Sequence, residues 1–347
     1  MVLPGPAPRG HAGVAQDPDP RRLTLAPNEH LLGDAEQLVA RLGELRTTDT
    51  LTPQHPALTF RPLPEVLELW GKAGVDTSPF HCGLALLKLR YRSLGLTQLL
   101  PAERVLVGVH SAHPDTFGGF HHPNQGYRHM QMRAMVTAYG PLAAGLPQNP
   151  SLAVLDLLRA YAHDCLHYGS YRTYRIHGEK VARGQYGLNF RRPDGRSYSA
   201  PDPAHSRTTR NLGVVMEGAC DREARTITLL AAQQCQINEP ETPVDLLAYR
   251  DVIGRLDAQD IDPAAAPSPG AAAFVTAMAS YQRTVNDRYT ALLDEVGHGE
   301  GEELHTVVLT AIVSGDVTPL CGWLDRKNGP GTFAGLFLSA SYLAALN

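Results

Sequence analysis

The sequence predicts a mainly helical α+β fold, on three observations. Apolar residues recur at three- and four-residue spacing over 35–47, 63–74, 78–95, 149–169 and 208–235, the period of amphipathic helices. A β-branched run, ERVLVGVHS at 103–111, departs from that period and has proline on both sides, as a strand would. The chain is 347 residues long and 43% hydrophobic, enough for a buried core in one large domain or two.

Taken from the N-terminus, residues 1–27 are rich in proline and glycine and read as a disordered leader. Prolines and charges stand where a signal peptide needs an apolar run, so the expected location is the cytoplasm. Residues 28–100 form an N-terminal helical region built from AEQLVARLGELRT, LPEVLELWGKAG and SPFHCGLALLKLRYRSLG.

The central region spans 101–255. After the strand come His110, His113, His121, His122 and His129 among glycines and prolines, a loop by composition and a possible cleft wall or second metal site. RHMQMRAMVTAYG follows, as helix or strand. The next helix has the sharpest ends in the chain: Asn149 as N-cap, Pro150 at the first helical position and Gly169 at the exit. Residues 170–208 read as irregular chain or a β-hairpin, and a second long helix runs over 208–235. An Ala/Pro linker over 256–272 leads to a C-terminal helical region over 273–347.

A net charge of -4 supplies no basic field for nucleic acid or an anionic membrane. The most apolar stretch, GTFAGLFLSASYLAALN, falls short of the roughly 20 residues that span a bilayer and reads as a docked helix. Five cysteines without CxxC pairing fit reduced thiols. The wealth of Ala, Pro, Gly and Arg resembles the codon bias of a GC-rich bacterial genome. No phosphate-binding loop, dinucleotide fingerprint or nucleophile elbow is present. Oligomeric state leaves no mark in the sequence.

Chemistry concentrates in two short motifs. His163 and His167 are four apart on the first long helix, close enough on one face to reach a single zinc ion at about 2.0–2.1 Å. Val154, Leu158, Tyr161 and Cys165 make the apolar face, so the histidines are expected on the polar side. Catalytic zinc takes a third protein ligand. In MEGACD, Glu217 and Asp221 are also four apart on one helix face, where like charges repel unless a cation or histidine lies between them.

H-D-x-x-H at 163–167 followed by E-G-x-x-D at 217–221 resembles the gluzincin branch of the zincin metallopeptidases. The resemblance covers these two motifs. It implies a zincin-like metallopeptidase core with additional N- and C-terminal helices, and one Zn2+ bound by His163, His167 and Glu217. It further implies that Asp221 orients a ligand histidine, and that a peptide or protein substrate is cut by a metal-activated water. Residue 164 carries the general base in that family as Glu; here it is Asp164, and the missing methylene withdraws the carboxylate by about 1.5 Å. An oxyanion donor is expected among Tyr171, Tyr174, His177, Tyr186, His205 and Arg210.

Three other readings remain. The His163-Asp164 doublet also resembles the HD-domain phosphohydrolases, with His129 on an upstream helix and Asp221 as the remaining ligands. A zincin-like binding protein, inactive through Asp164, uses the same metal site without catalysis. In the plainest case the histidines are hydrogen-bonded surface groups and Asp221 pairs with Arg225 at four-residue spacing.

Overall fold

The computed structural model describes residues 25–26, 28–47, 58–111, 118–121, 129–132, 149–193, 196–257, 261–266 and 269–338. The expected leader, apart from Leu25 and Ala26, and also His113, His122 and the C-terminal residues 339–347, lie outside them. The described chain is α+β and mainly helical. In order it runs β1 (Glu29–Leu31), α1 (Ala35–Thr47), β2 (Leu58–Pro62), α2 (Leu63–Lys72), α3 (Ser78–Ser93), β3 (Val105–Ser111), β4 (Gly118–His121) and β5 (His129–Met132). It continues with α4 (Pro150–Gly169), β6 (Arg172–His177), β7 (Lys180–Tyr186), β8 (Asn189–Phe190), α5 (Leu212–Gln234) and α6 (Pro243–Val252). Last come α7 (Pro269–Tyr281), a π-helical turn (Gln282–Asn286), α8 (Asp287–Gly297), α9 (Gly301–Ser314), α10 (Thr318–Asn328) and α11 (Thr332–Phe337).

Helices α4 and α5 pack alongside each other at the centre, with α3 against both and α6, α8 and α9 around them. Their ends follow from the sequence. Asn149 Oδ1 accepts from Leu152 N at 3.2 Å at the start of α4, and Asn211 Oδ1 accepts from Gly213 N at 2.8 Å at the start of α5. The exit of α4 is held by a buried cation: Arg172 donates to the carbonyls of His167, at 3.1 Å, and of Tyr168. Asn28 Nδ2 donates to the Gly169 carbonyl and to Val313 O at 3.2 Å, joining the end of α4 to α9.

One four-stranded sheet has the order β1-β6-β7-β8, with β1 parallel to β6 and the rest antiparallel. The other has the order β2-β3-β5-β4, with β3 and β5 parallel. The 170–208 stretch is therefore a hairpin, β6–β7, followed by irregular chain. The histidine-rich stretch is more regular than its composition suggests: β4 lies inside it, and His121 pairs with His129 across β4 and β5. His129 is thus on a strand, not a helix, because it continues the sheet begun by the β-branched Val105, its partner on β3.

A single apolar cluster extends from Leu63 on α2 to Leu338 beyond α11, so α2, α3, α4, α5 and the C-terminal helices share one core. Each fully buried leucine in it, Leu155 and Leu158 among them, contributes about 1.5–3 kcal/mol. Leu38, Leu42 and Tyr174 form a satellite cluster between α1 and the first sheet. Over the expected 256–272 linker, a 3-10 turn occupies Pro263–Ala265, and α7 starts at Pro269. Among the described residues no helix is long and apolar enough to cross a membrane.

Candidate metal centre

The side of α4 expected to be polar is not solvated. Asp156, Asp164 and His167 are 2–3% exposed, because α5 covers them. Buried polar groups need partners: α5 provides them to His163 and His167 from Glu217 and Asp221, and Asp156 pairs with Arg159.

His163 Nε2 lies 3.2 Å from Glu217 Oε1, and His167 Nε2 lies 3.1 Å from Glu217 Oε2. The two imidazole rings are 4.6 Å apart at 63°. One ligand atom from each of these three residues falls within 4.8 Å of the others. Two ligands at zinc-bond length around a tetrahedral ion stand roughly 3.3–3.4 Å apart. Each histidine nitrogen is that close to one or the other Glu217 oxygen, and the three groups lie near enough for the donor set to hold a small divalent cation. The side chain of Glu217 is 35% exposed and opens the cluster to solvent, whereas that of His167 is 4% exposed.

The outer ring nitrogens are also engaged. His163 Nδ1 faces Asp221 Oδ1 at 3.6 Å, and His167 Nδ1 faces the Tyr186 hydroxyl at 3.0 Å. Each histidine thus turns Nε2 toward Glu217 and Nδ1 toward an outer partner, the orientation that ligand histidines take in metal sites. Asp221 is fully buried and is held by Arg225 Nε at 2.7 Å and Arg159 NH1 at 3.0 Å. Arg225 reaches on to Asp251 at 2.7 Å and to Gln282 at 2.9 Å, and Arg159 to Asp156 at 3.3 Å. The expected four-residue pair of Asp221 and Arg225 exists, as the outer layer of the cluster.

Electrostatics follow from this geometry. Burial opposes the charged form of His163, but Glu217 and Asp221 outweigh it and push its pKa up to about 10. Burial likewise opposes charge on Glu217, yet the two histidines hold it well below the usual carboxylate range. Asp221 is depressed too, with Arg225, His163 and Arg159 overcoming its desolvation. Without a metal, a proton on His163 takes the place of the cation.

The structure thus brings together His163, His167 and Glu217 and sets Asp221 behind His163. Asp164 is buried one position along α4, where its charge contributes to raising the thiols of Cys165 and Cys220, after the larger effect of burial. Among the expected oxyanion donors, Tyr186 touches the cluster through His167. Tyr174 is buried against α1 with its hydroxyl on Glu29, Tyr171 stacks on His30, and Arg210 pairs with Glu295. Sequence reasoning missed Tyr281, whose hydroxyl donates to Glu217 Oε1 at 3.2 Å, and Gln282 beside it. Neither lies in a motif, and both reach the site from the far side of the expected linker.

No protein-family model, curated protein or solved structure matches this chain.

Proposed function

We propose that the protein is a zinc-dependent hydrolase, a metallopeptidase of zincin-like design, whose ion is held by His163, His167 and Glu217. The observation that carries this reading is the convergence of two imidazoles and a carboxylate from two helices, one ligand atom of each within 4.8 Å of the others. A bound zinc ion polarises a carbonyl and lowers the pKa of its water. The chain's own residues do the rest. Asp221, fixed by Arg159 and Arg225, keeps a carboxylate against His163 Nδ1, so Nε2 remains the ligand atom. The Tyr186 hydroxyl, 3.0 Å from His167 Nδ1, fixes the direction of the second ring. Asp164, next to His163 on α4, would be the base that takes the proton of that water.

A second reading, a zinc-binding protein without hydrolytic activity, is favoured by the short and buried Asp164. Asp164→Asn separates the two. In the enzyme reading zinc stays bound while hydrolysis of a casein or mixed-peptide substrate falls by at least about 100-fold. Wild-type protein that binds one zinc and cleaves no peptide supports the binding protein. Metal binding that survives His167→Ala and is lost on His129→Ala sinks both in favour of an HD-type phosphohydrolase.

A further inference from the structure

Glu217 offers both carboxylate oxygens to imidazole nitrogens: Oε1 stands 3.2 Å from His163 Nε2 and Oε2 stands 3.1 Å from His167 Nε2. A carboxylate placed in this way can bind an ion through one oxygen or through both. The Tyr281 hydroxyl breaks that symmetry, since it donates to Oε1 at 3.2 Å. An oxygen that accepts a hydrogen bond has less electron density to share, so the other oxygen becomes the better ligand.

Tyr281 is in position because of an irregularity in the backbone. It is the last residue of α7, immediately before the π-helical turn of Gln282–Asn286. A π turn is in effect one residue inserted into an α-helix, and each residue turns the chain by about 100°. The inserted turn therefore lets Tyr281 face α5 while α8 keeps its own packing on the same helix. The turn is anchored to the site's outer layer. Gln282 Oε1 accepts from Arg225 NH1 at 2.9 Å and from Asn286 Nδ2 at 3.1 Å, and its Nε2 donates to Asp287 Oδ1 at 2.7 Å. Tyr281 and Gln282 thus dock together, one on the ligand Glu217 and the other on the arginine that holds Asp221.

We propose that Tyr281 is a positioning residue that makes Glu217 a one-oxygen metal ligand, and that the π turn exists to deliver its hydroxyl. The inference rests on the metal reading above, and it makes the C-terminal half of the chain part of the metal centre. It differs from an oxyanion role because the hydroxyl acts on a ligand and is needed before any substrate arrives.

The test uses the full chain, loaded with Zn2+ or Co2+ in turn. Tyr281→Phe keeps the ring and removes the hydroxyl; deletion of Thr284 turns the π turn back toward regular helix and swings the intact tyrosine away. Both variants are expected to bind Zn2+ about 10–100-fold more weakly in chelator competition. With Co2+ they are expected to lose visible absorption intensity, as four-coordinate cobalt gains a fifth ligand, the second oxygen of Glu217. A purely structural role for Tyr281 would lower the melting temperature without moving the cobalt spectrum. If a folded Tyr281→Phe variant matches wild type in both zinc affinity and spectrum, the inference falls while the metal reading stands. If wild type binds neither ion, both fall together. Circular dichroism establishes folding, and should one variant misfold, the other decides.

Discussion

Two glutamates on α5 each lie in a cluster with histidine and tyrosine, and the two clusters are built for different ends. Glu223 is gripped by Arg90 through Nε at 2.8 Å and NH2 at 2.9 Å, a bidentate fork. His305 then approaches it at 3.4 Å and is itself held by Tyr289 at 2.8 Å. Glu217 meets His163, His167 and Tyr281, and among the described residues no arginine pairs with it. A guanidinium is a permanent cation that fills a carboxylate's lone pairs. Imidazoles can give up their protons, and so the first cluster is complete in itself while the second can trade a proton for a metal ion. What sets the second cluster apart as a candidate metal site is that, among the described residues, no fixed cation stands beside its carboxylate.

The sharpest way to break this comparison is to remove one histidine from each cluster. His167→Ala is expected to cost more than about 100-fold in zinc affinity, whereas His305→Ala leaves it within about threefold, both read by chelator competition. Zinc lost from the His305 variant would show that the distinction is false. Next in size is Arg90→Ala, which strands Glu223. Breaking a buried pair costs about 3–5 kcal/mol, and the 27% exposure of the Arg90 side chain reduces this to about 2–3 kcal/mol in urea denaturation. Zinc affinity should not change.

Gly218, beside Glu217, probes how closely the C-terminal helices approach the site. A Cβ there would fall 2.5 Å from Tyr289 Cβ, so Gly218→Ala is expected to destabilise the chain by about 1–3 kcal/mol through overpacking. A stability equal to wild type would mean that α8 can withdraw freely. The smallest effect is on pH dependence. Burial raises the Glu223 pKa, but His305 and Arg90 outweigh it and leave the folded value below its ordinary 4.5. Its contribution to stability is therefore present above about pH 4.5 and lost as pH falls through the lower folded value. The stability difference between wild type and Arg90→Ala should shrink between pH 5 and pH 3; a difference that stays constant would contradict the pairing.

Much of the centre was legible because it follows helix arithmetic. Four-residue spacing at 163/167 and 217/221, with Asn149, Pro150 and Gly169 marking the ends of α4, is enough to put both pairs on helical faces. The environment of α4 was less legible: the Val154–Cys165 stripe suggested one apolar face, yet residues on every side are buried. Charge pairing with α5 made this possible, and pairing between helices leaves no periodic signal. Tyr281 was invisible because the π turn that aims it obeys neither the helix nor the strand period. RHMQM was legible only as helix or strand, and the choice is made by pairing with β4 on one side and β3 on the other.

The hydrogen bonds of Asn28 set an order of events. Its side chain bridges Gly169, at the end of the helix that holds both histidines, and Val313 in α9. During synthesis the N-terminal partner waits while nearly three hundred further residues are added, since its second acceptor emerges late. Contacts this distant in sequence close slowly because loop entropy must be met before they form. The Arg172 bonds can close the exit of the histidine helix as soon as the neighbouring strand has formed, whereas its tie to α9 waits until that helix has emerged.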